Sequence, residues 1–426
     1  WVPESGLLAG RRNRDKNDSK RKNLTDWSIL SFLLEIDNCH YPMADSYLQY
    51  GIDGVIRIAA ETLETLKNNL QSELQDQTQL DIAYLESLLH VWKRFRQFVA
   101  DHMVLALECA KQETSDTKKK CYEKIAKICQ NLTINKPNTF CEALQLFWFT
   151  YLFRSPFGAG CIGRLDQLLY PFYKHDCEMG IWDQQEAEKM LEEMFTRMNE
   201  INTGDTLRNL MLSGQDAKGK ENLFKDAKGN DQTNEITYLI LVAYENTGGS
   251  EPHLNVRFHE KTPKKLRDNC INMLSSGSGQ PTIYFDEAVL PAMEKAGICH
   301  EDACQYANDG CTETVIAGKS AIVFWQYEMV KTVELTLFGG NENPCVKPVS
   351  MKKNSIHGAD FVPKTNLLIG IESKKPQELT TFSEFLSAFF EQMDHQLDHY
   401  FLMIKQKMQE DQTVSITSPF TAGTFE

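Results

Sequence analysis

The chain has 426 residues, of which 42% are hydrophobic and 24% charged, and a formal net charge of −14. This supports a large packed core and argues against binding nucleic acid or anionic membranes, whose phosphates are held by clusters of Lys and Arg. The one basic cluster, "RRNRDKNDSKRK" at 11–22, is diluted by acids and amides and reads as a solvated segment. The most apolar run, "ALQLFWFTYLF" at 143–153, is too short to span a bilayer and fits a buried helix. Twelve cysteines are scattered with no CxxC pair, so reduced thiols in a cytoplasmic protein are expected rather than a disulfide framework.

Residues 1–37 form a polar N-terminal segment, loop over most of its length. From about 44 to 180 the pattern is helical. "ADSYLQYGIDGVIRIAAETLETLKNNLQSEL" and "TQLDIAYLESLLHVWKRFRQFVADHMVLALECAKQ" repeat apolar residues at three- and four-residue spacing. "SDTKKK" separates them from the amphipathic "CYEKIAKICQNLT", and "TFCEALQLFWFTYLF" is apolar nearly all round, which requires burial on several sides. "QQEAEKMLEEMFTRMNEIN" is a further helix, and "NEITYLILVAYENT" reads as strand or buried helix, its length favouring helix. "HLNVRFH" and "PTIYFD" are short and rich in β-branched and aromatic residues, as strands are; "AIVFW" shares that texture. Between and after them, "PKKLRDNCINMLSSG" opens on Pro and closes near Gly, and "EAVLPAMEKAG" is also helical. Strands alternating with helices predict a parallel α/β core. The two "DAKG" copies are a polar turn region. Near the end, "TTFSEFLSAFFEQMDHQLDHYFLMIKQKMQED" is a long amphipathic helix with a capping box at Thr381 and Glu384.

The stretch "YANDGCTETVIAGKSA" at 306–321 carries the chemistry. Asn-Asp-Gly favours a sharp turn, and Gly310 admits a backbone conformation closed to other residues. In an extended loop, residues two apart point to one side, so the Cys311 thiol and the Glu313 carboxylate would face one substrate. A structural cysteine beside a surface glutamate is the alternative that the local pattern leaves open.

The surroundings favour the first. "SSGSGQPTIYFDEAVLPAMEKAGICHEDACQYANDGCTETVIAGKS" at 275–320 resembles the thiyl-cysteine region of the glycyl radical enzymes, the pyruvate formate-lyase-like superfamily. The matching residues are Gly279, Pro281, Asp286, Glu287, Gly297, Glu301 to Ala303, Tyr306, Gly310, Cys311 and Glu313. "GRLDQLLYPFYK" at 163–174, "NEITYLILVAY…PHLNVRFHEKTP" at 234–263 and "NCHYPMADSYLQYGIDGVI" at 38–56 resemble three further segments of that family, in the same order. The resemblance covers 38–426, one partial barrel domain.

The resemblance implies a ten-stranded α/β barrel surrounded by helices, with a helical N-terminal part and the cysteine loop threaded up its centre. It implies that Cys311 carries a thiyl radical that takes hydrogen from the substrate, and that Glu313 is the general base. Thr312 replaces the second cysteine of acyl-transferring members, so a dehydratase or lyase is expected rather than a formate acetyltransferase-like enzyme. His40 falls where some members bind a substrate hydroxyl, and a helix-entry histidine is the other reading. Gly158 and Ala159 stand where polyol-dehydrating members carry a polar pair, so a small apolar wall for a bulkier or less hydroxylated substrate is expected. Trp325 either lines the pocket or belongs to the core. Arg164, Asp166 and Arg257 read as structural anchors of the barrel rim. His253 and His259 have no acidic partner at metal-ligand spacing, so no metal site is expected.

The family's glycine loop, an Arg-Val-x-Gly-Tyr-type segment, is not among these residues, and "SITSPFTAGTFE" at 415–426 resembles the stretch well before it. The chain is therefore expected to be part of a longer gene product; a split enzyme, or a non-catalytic relative serving as a binding or scaffold subunit, are the alternatives. No cofactor is expected on this chain itself. An S-adenosylmethionine iron–sulfur activase is the expected partner, with a small organic substrate, an anaerobic cytoplasm and a homodimer.

Overall fold

The computed structural model describes residues 7–9, 44–68, 75–154, 160–200, 208–217, 231–310, 312–317, 319–320, 329–341, 370–374 and 376–411. They fall into two compact units, one within 37–322 together with residues 7–9, the other within 323–416.

The first unit opens with four helices, α1 (Ala44–Asn68), α2 (Gln75–Gln112), α3 (Asp116–Ile134) and α4 (Phe140–Arg154). On α2 the buried residues Leu85, Leu88, Trp92, Phe95, Val99, His102 and Ala106 recur every three or four positions, which builds one apolar stripe. The sequence pattern predicted this stripe, and α3 runs along it. Helix α4 is buried all round, with Leu144, Leu146, Phe147, Trp148 and Phe149 each at most 2% exposed. At its start Glu142 accepts hydrogen bonds from the Asn138 and Thr139 amides, and Thr139 Oγ1 accepts from the Glu142 amide, a reciprocal cap. His102 sits inside this cluster, its ring against Phe98 and Phe149 and its Nδ1 2.8 Å from the Phe98 carbonyl. Burial lowers its pKa below the usual 6.5.

Part of the N-terminal segment read as polar loop is in fact core. Leu8 and Ala9 are fully buried. Glu193 accepts the Leu7 and Leu8 amides at 2.9–3.0 Å, and Gln145 bonds both the amide and the carbonyl of Ala9. A short extended piece with no room for its own secondary structure is satisfied by side chains instead.

The α/β part follows as β1 (Gly160–Gly163), α5 (Leu165–Glu178), α6 (Gln184–Asn199), β2 (Arg208–Ser213), α7 (Glu235–Thr247), β3 (His253–Phe258), α8 (Lys264–Ser275), β4 (Thr282–Phe285), α9 (Asp286–Lys295) and the one-turn α10 (His300–Ala303). The four strands pair in parallel in the order β1-β2-β3-β4, with helices in every connection, as the alternation predicted. Asn234 caps α7 through a capping box with Thr237, and Gly248 closes it in the left-handed conformation. A hairpin of β5 (Ala307–Asp309) and β6 (Glu313–Val315) then packs against β1 and β2.

Strand alternation divides the sheet into two faces. Leu210, Leu212, Leu254 and Val256 point to the helices and join the main core. Met211 points the other way and packs with Cys304, Tyr306, Ala307 and Val315 of the hairpin and its lead-in. In-register pairing of Ser213 with Arg257 and of Arg257 with Tyr284 puts these polar residues on the hairpin side. The sheet therefore has one apolar face for helices and one largely polar face for the hairpin.

In the second unit, α11 (Met329–Leu337) packs on α12 (Phe382–Asp411). Thr332 Oγ1 donates to Gln396 Oε1 at 3.0 Å, and Gln392 brackets the Ile371 backbone. The Thr381–Glu384 capping box forms as expected. Among the described residues, no helix is long and apolar enough to cross a membrane.

Two predictions follow from these packing facts. Gly214 has φ +114°, and a Cβ there would lie 2.5 Å from Arg257 Nε, whereas Gly180, at φ +68°, has nothing within 4 Å. Gly180→Ala should cost about 1 kcal/mol of backbone strain, and Gly214→Ala about 2–4 kcal/mol by urea unfolding, because it also displaces a buried ion-paired guanidinium. His102 is held neutral by burial, so the unfolded chain takes up a proton first as pH falls through 6.5. Stability should therefore drop from pH 6.5 downward, and His102→Leu should flatten that part of the urea-midpoint profile.

Candidate active site

The chain leading into the hairpin is largely buried at Ala303, Cys304 and Tyr306, so the sheet's polar face must satisfy its carbonyls. Arg257 does most of this. Its guanidinium is fully buried and forms a two-pronged pair with Asp286, Nε–Oδ1 2.8 Å and Nη2–Oδ2 2.9 Å. Its Nη1 donates to the carbonyls of Cys304 and Tyr306, at 2.9 and 3.3 Å. The Tyr306 ring lies 4.0 Å from the guanidinium, and its hydroxyl donates to Asp286 Oδ1 at 3.1 Å. Burial works to lower the Arg257 pKa, and Asp286 more than offsets it, so the guanidinium stays charged. Burial also pushes the Tyr306 phenol up and the Cys304 thiol up to about 11. Neither acts as an anion there.

Arg164, the residue after β1, supports the same lead-in, donating to the Cys304 carbonyl and Gln305 Oε1 at 3.2 and 3.3 Å and to the Ser213 carbonyl at 2.8 Å. Asp166 accepts the Ser213 amide at 2.8 Å and the Thr237 hydroxyl at 2.7 Å, which ties α5, β2 and α7 together. Burial raises its pKa against the pull of Arg164 and these donors. Arg164, Asp166 and Arg257 are thus the structural anchors that the sequence led us to expect.

The turn between the two strands is gripped on both sides. Asn209 Nδ2 donates to the Gly310 carbonyl at 2.6 Å, and the Thr312 amide donates to the Asp309 carbonyl at 2.7 Å. Gly310 has φ +39° and Thr312 φ +93°. The connection is therefore a tight turn, and the side-to-side alternation of an extended loop does not carry across it. A β-branched residue at that φ stores about 1–3 kcal/mol of strain, which the surrounding contacts must hold.

Glu313 opens β6 directly opposite Asp309. Its side chain is half-buried, and its Oε2 is buried with no hydrogen-bond partner among the described residues. On the other hairpin face the fully buried Asn308 is opposite Thr314. Burial raises the Tyr284 pKa, partly offset by the Thr312 and Asn308 side chains. Cys311, His40, Gly158, Ala159 and Trp325 lie outside the described residues, as does "AIVFW".

Two features escaped the sequence reading. Asn209 and Asn255 are buried amides in adjacent strands, Asn255 Nδ2 donating to Asn209 Oδ1 at 2.8 Å. A polar amide inside an otherwise apolar strand, in "RNLMLS" and again in "HLNVRF", was the available signal. His259, read only as having no acidic partner at metal-ligand spacing, has Asp231 2.7 Å from its Nε2, brought there from 28 residues upstream. Among the described residues, no three His, Cys, Asp or Glu side chains converge as a metal site.

Residues 38–414 match the family described as pyruvate formate lyase-like. The trans-4-hydroxy-L-proline dehydratase of Clostridioides difficile is 31% identical over 311 residues, 69% of this chain and 36% of the relative. The isethionate sulfite-lyase of Oleidesulfovibrio alaskensis is 27% identical over 339 residues, 75% of this chain and 37% of the relative. The glycerol-bound B12-independent glycerol dehydratase of Clostridium butyricum superposes with a TM-score of 0.67 at 25% identity, over 85% of this chain and 43% of that one. The chain spans less than half the length of each. Its described parallel strands belong to the α/β barrel fold of these enzymes, and they do not by themselves close a barrel. Four sequence segments in family order, a hairpin clasped by a parallel sheet and a match along nearly the whole chain lead to one assignment: the chain belongs to the pyruvate formate lyase-like family of glycyl radical enzymes, beside its dehydratases and lyases.

Proposed function

We propose that this chain carries the hydrogen-abstracting loop of a radical dehydratase or lyase acting on a small organic substrate. The observation that carries this reading is Glu313 Oε2, a buried carboxylate oxygen with no hydrogen-bond partner among the described residues, two positions from Cys311. Such an oxygen is costly unless something else bonds it, and a substrate hydroxyl is the fitting donor. Cys311 is the thiyl carrier and Glu313 the general base. The Cys311 sulfur takes a hydrogen atom from a substrate carbon and becomes a thiol. Glu313 accepts a proton from a neighbouring hydroxyl as the adjacent group departs with its electron pair, and the thiol then returns hydrogen to the product radical. The glycyl radical, installed by an S-adenosylmethionine iron–sulfur activase, supplies the oxidising equivalent when present. His40, Gly158, Ala159 and Trp325 are the proposed pocket residues, with the Gly-Ala pair forming an apolar wall. A homodimer in an anaerobic cytoplasm completes the reading.

The test uses the natural gene product, activated anaerobically and offered trans-4-hydroxy-L-proline, isethionate, glycerol and 1,2-propanediol alongside other small hydroxylated compounds. Cys311→Ala should abolish turnover, and Glu313→Gln should lower kcat by about 10²–10⁴. Turnover surviving in Cys311→Ala would refute the mechanism and favour a binding or scaffold role. Glycerol turned over at enzyme-like rates would remove the apolar-wall assignment.

A further inference from the structure

Asn209 is fully buried in β2 and Asn255 nearly so in β3, among Leu210, Met211, Leu212, Leu254 and Val256. A buried amide costs several kcal/mol unless its donors and acceptor are matched, and a leucine would suit either strand better. Here the two amides form a directed chain. Asn255 Nδ2 bonds the His253 carbonyl at 3.2 Å and Asn209 Oδ1 at 2.8 Å. That occupies the acceptor side of Asn209 and turns its Nδ2 to the Gly310 carbonyl at 2.6 Å.

The target of this bond has a consequence beyond stability. The Gly310 carbonyl and the Cys311 nitrogen belong to one planar peptide unit. The Thr312 amide, held by the Asp309 carbonyl at 2.7 Å, belongs to the next. The backbone groups on either side of position 311, the Gly310 carbonyl and the Thr312 amide, are therefore each hydrogen-bonded, one to the sheet and one within the turn. We propose that Asn209, oriented by Asn255, is a positioning residue for the catalytic turn: it holds the Gly310 carbonyl, the backbone group that precedes Cys311 in the chain. The proposal rests on the reading of Cys311 as the hydrogen-abstracting residue. The strained Thr312 makes the turn prone to relax once the donor is lost.

Asn209→Asp keeps the shape and removes the donor, Asn209→Ala removes both, and Asn255→Ala leaves Asn209 free to flip. In the natural gene product, iodoacetamide labelling of Cys311 is followed by peptide mass spectrometry, with the exposed thiols Cys177 and Cys299 as internal controls. Labelling of Cys311 should quicken about fivefold or more in both Asn209 variants and less in Asn255→Ala, with the controls unmoved, as expected when a local turn is released. In the activated enzyme kcat should fall about 10–100-fold with KM within about twofold, the mark of misplacement rather than lost binding. Cys311 labelling that changes no more than the controls would overturn the proposal, as would labelling that changes only in step with the urea midpoint. Turnover surviving in Cys311→Ala would instead overturn the reading of the site and leave the labelling result to stand as a fact about the turn.

Discussion

The arrangement depends on how a two-stranded hairpin is held against a sheet it does not join. The backbone leading into the hairpin has polar groups that need partners away from water, and the Arg257–Asp286 pair is the centre of the answer. One guanidinium binds a carboxylate with two nitrogens, two carbonyls with the third, and an aromatic ring with its face. Replacing Asp286 with an apolar residue would leave a buried cation alone, which is worse than never having had the pair. The pair therefore fixes the geometry of the lead-in rather than contributing large net stability. Gly214 is part of the same constraint, since only a residue without Cβ lets the chain pass beside Arg257.

From that anchor the polar character passes along the sheet face toward the turn. Arg164 repeats the role of Arg257 from just after the first strand, and Asn209 carries it to Gly310. The strain at Thr312 and the Glu313 oxygen with no hydrogen-bond partner among the described residues stand at the far end of this chain of contacts. Rigid support at the base and unsatisfied or strained groups at the tip is the distribution expected of a site that must present reactive groups without moving.

Much of this was legible in the sequence because it is local. The heptad-like stripe on α2, the capping box at Thr381 and the β-branched runs at 253–258 and 282–285 each announce themselves within a few residues. Strands β1 and β2 did not, since "GCIG" is too short and glycine-rich and "RNLMLS" has the Leu and Met of a helix. Their identity comes from pairing, which depends on partners 44 or more residues away, as between Asn209 and His253. The burial of Leu8 and the His259–Asp231 contact are invisible for the same reason. At the site, Gly310 and Glu313 were readable as a turn and a candidate base. The positive φ of Thr312 and the hold of Asn209 on Gly310 were not, because Asn209 comes from a strand about a hundred residues earlier.

The central claim is that the Cys311 sulfur exchanges hydrogen with the glycyl radical. The most direct measurement is electron paramagnetic resonance of the activated gene product, with no substrate, transferred from H2O to D2O. If Cys311 is the exchanging thiol, solvent deuterium enters the radical glycine and the splitting from its α-hydrogen collapses. In Cys311→Ala the radical still forms and the splitting persists. Equal collapse in both proteins, or no radical in either, would contradict the account.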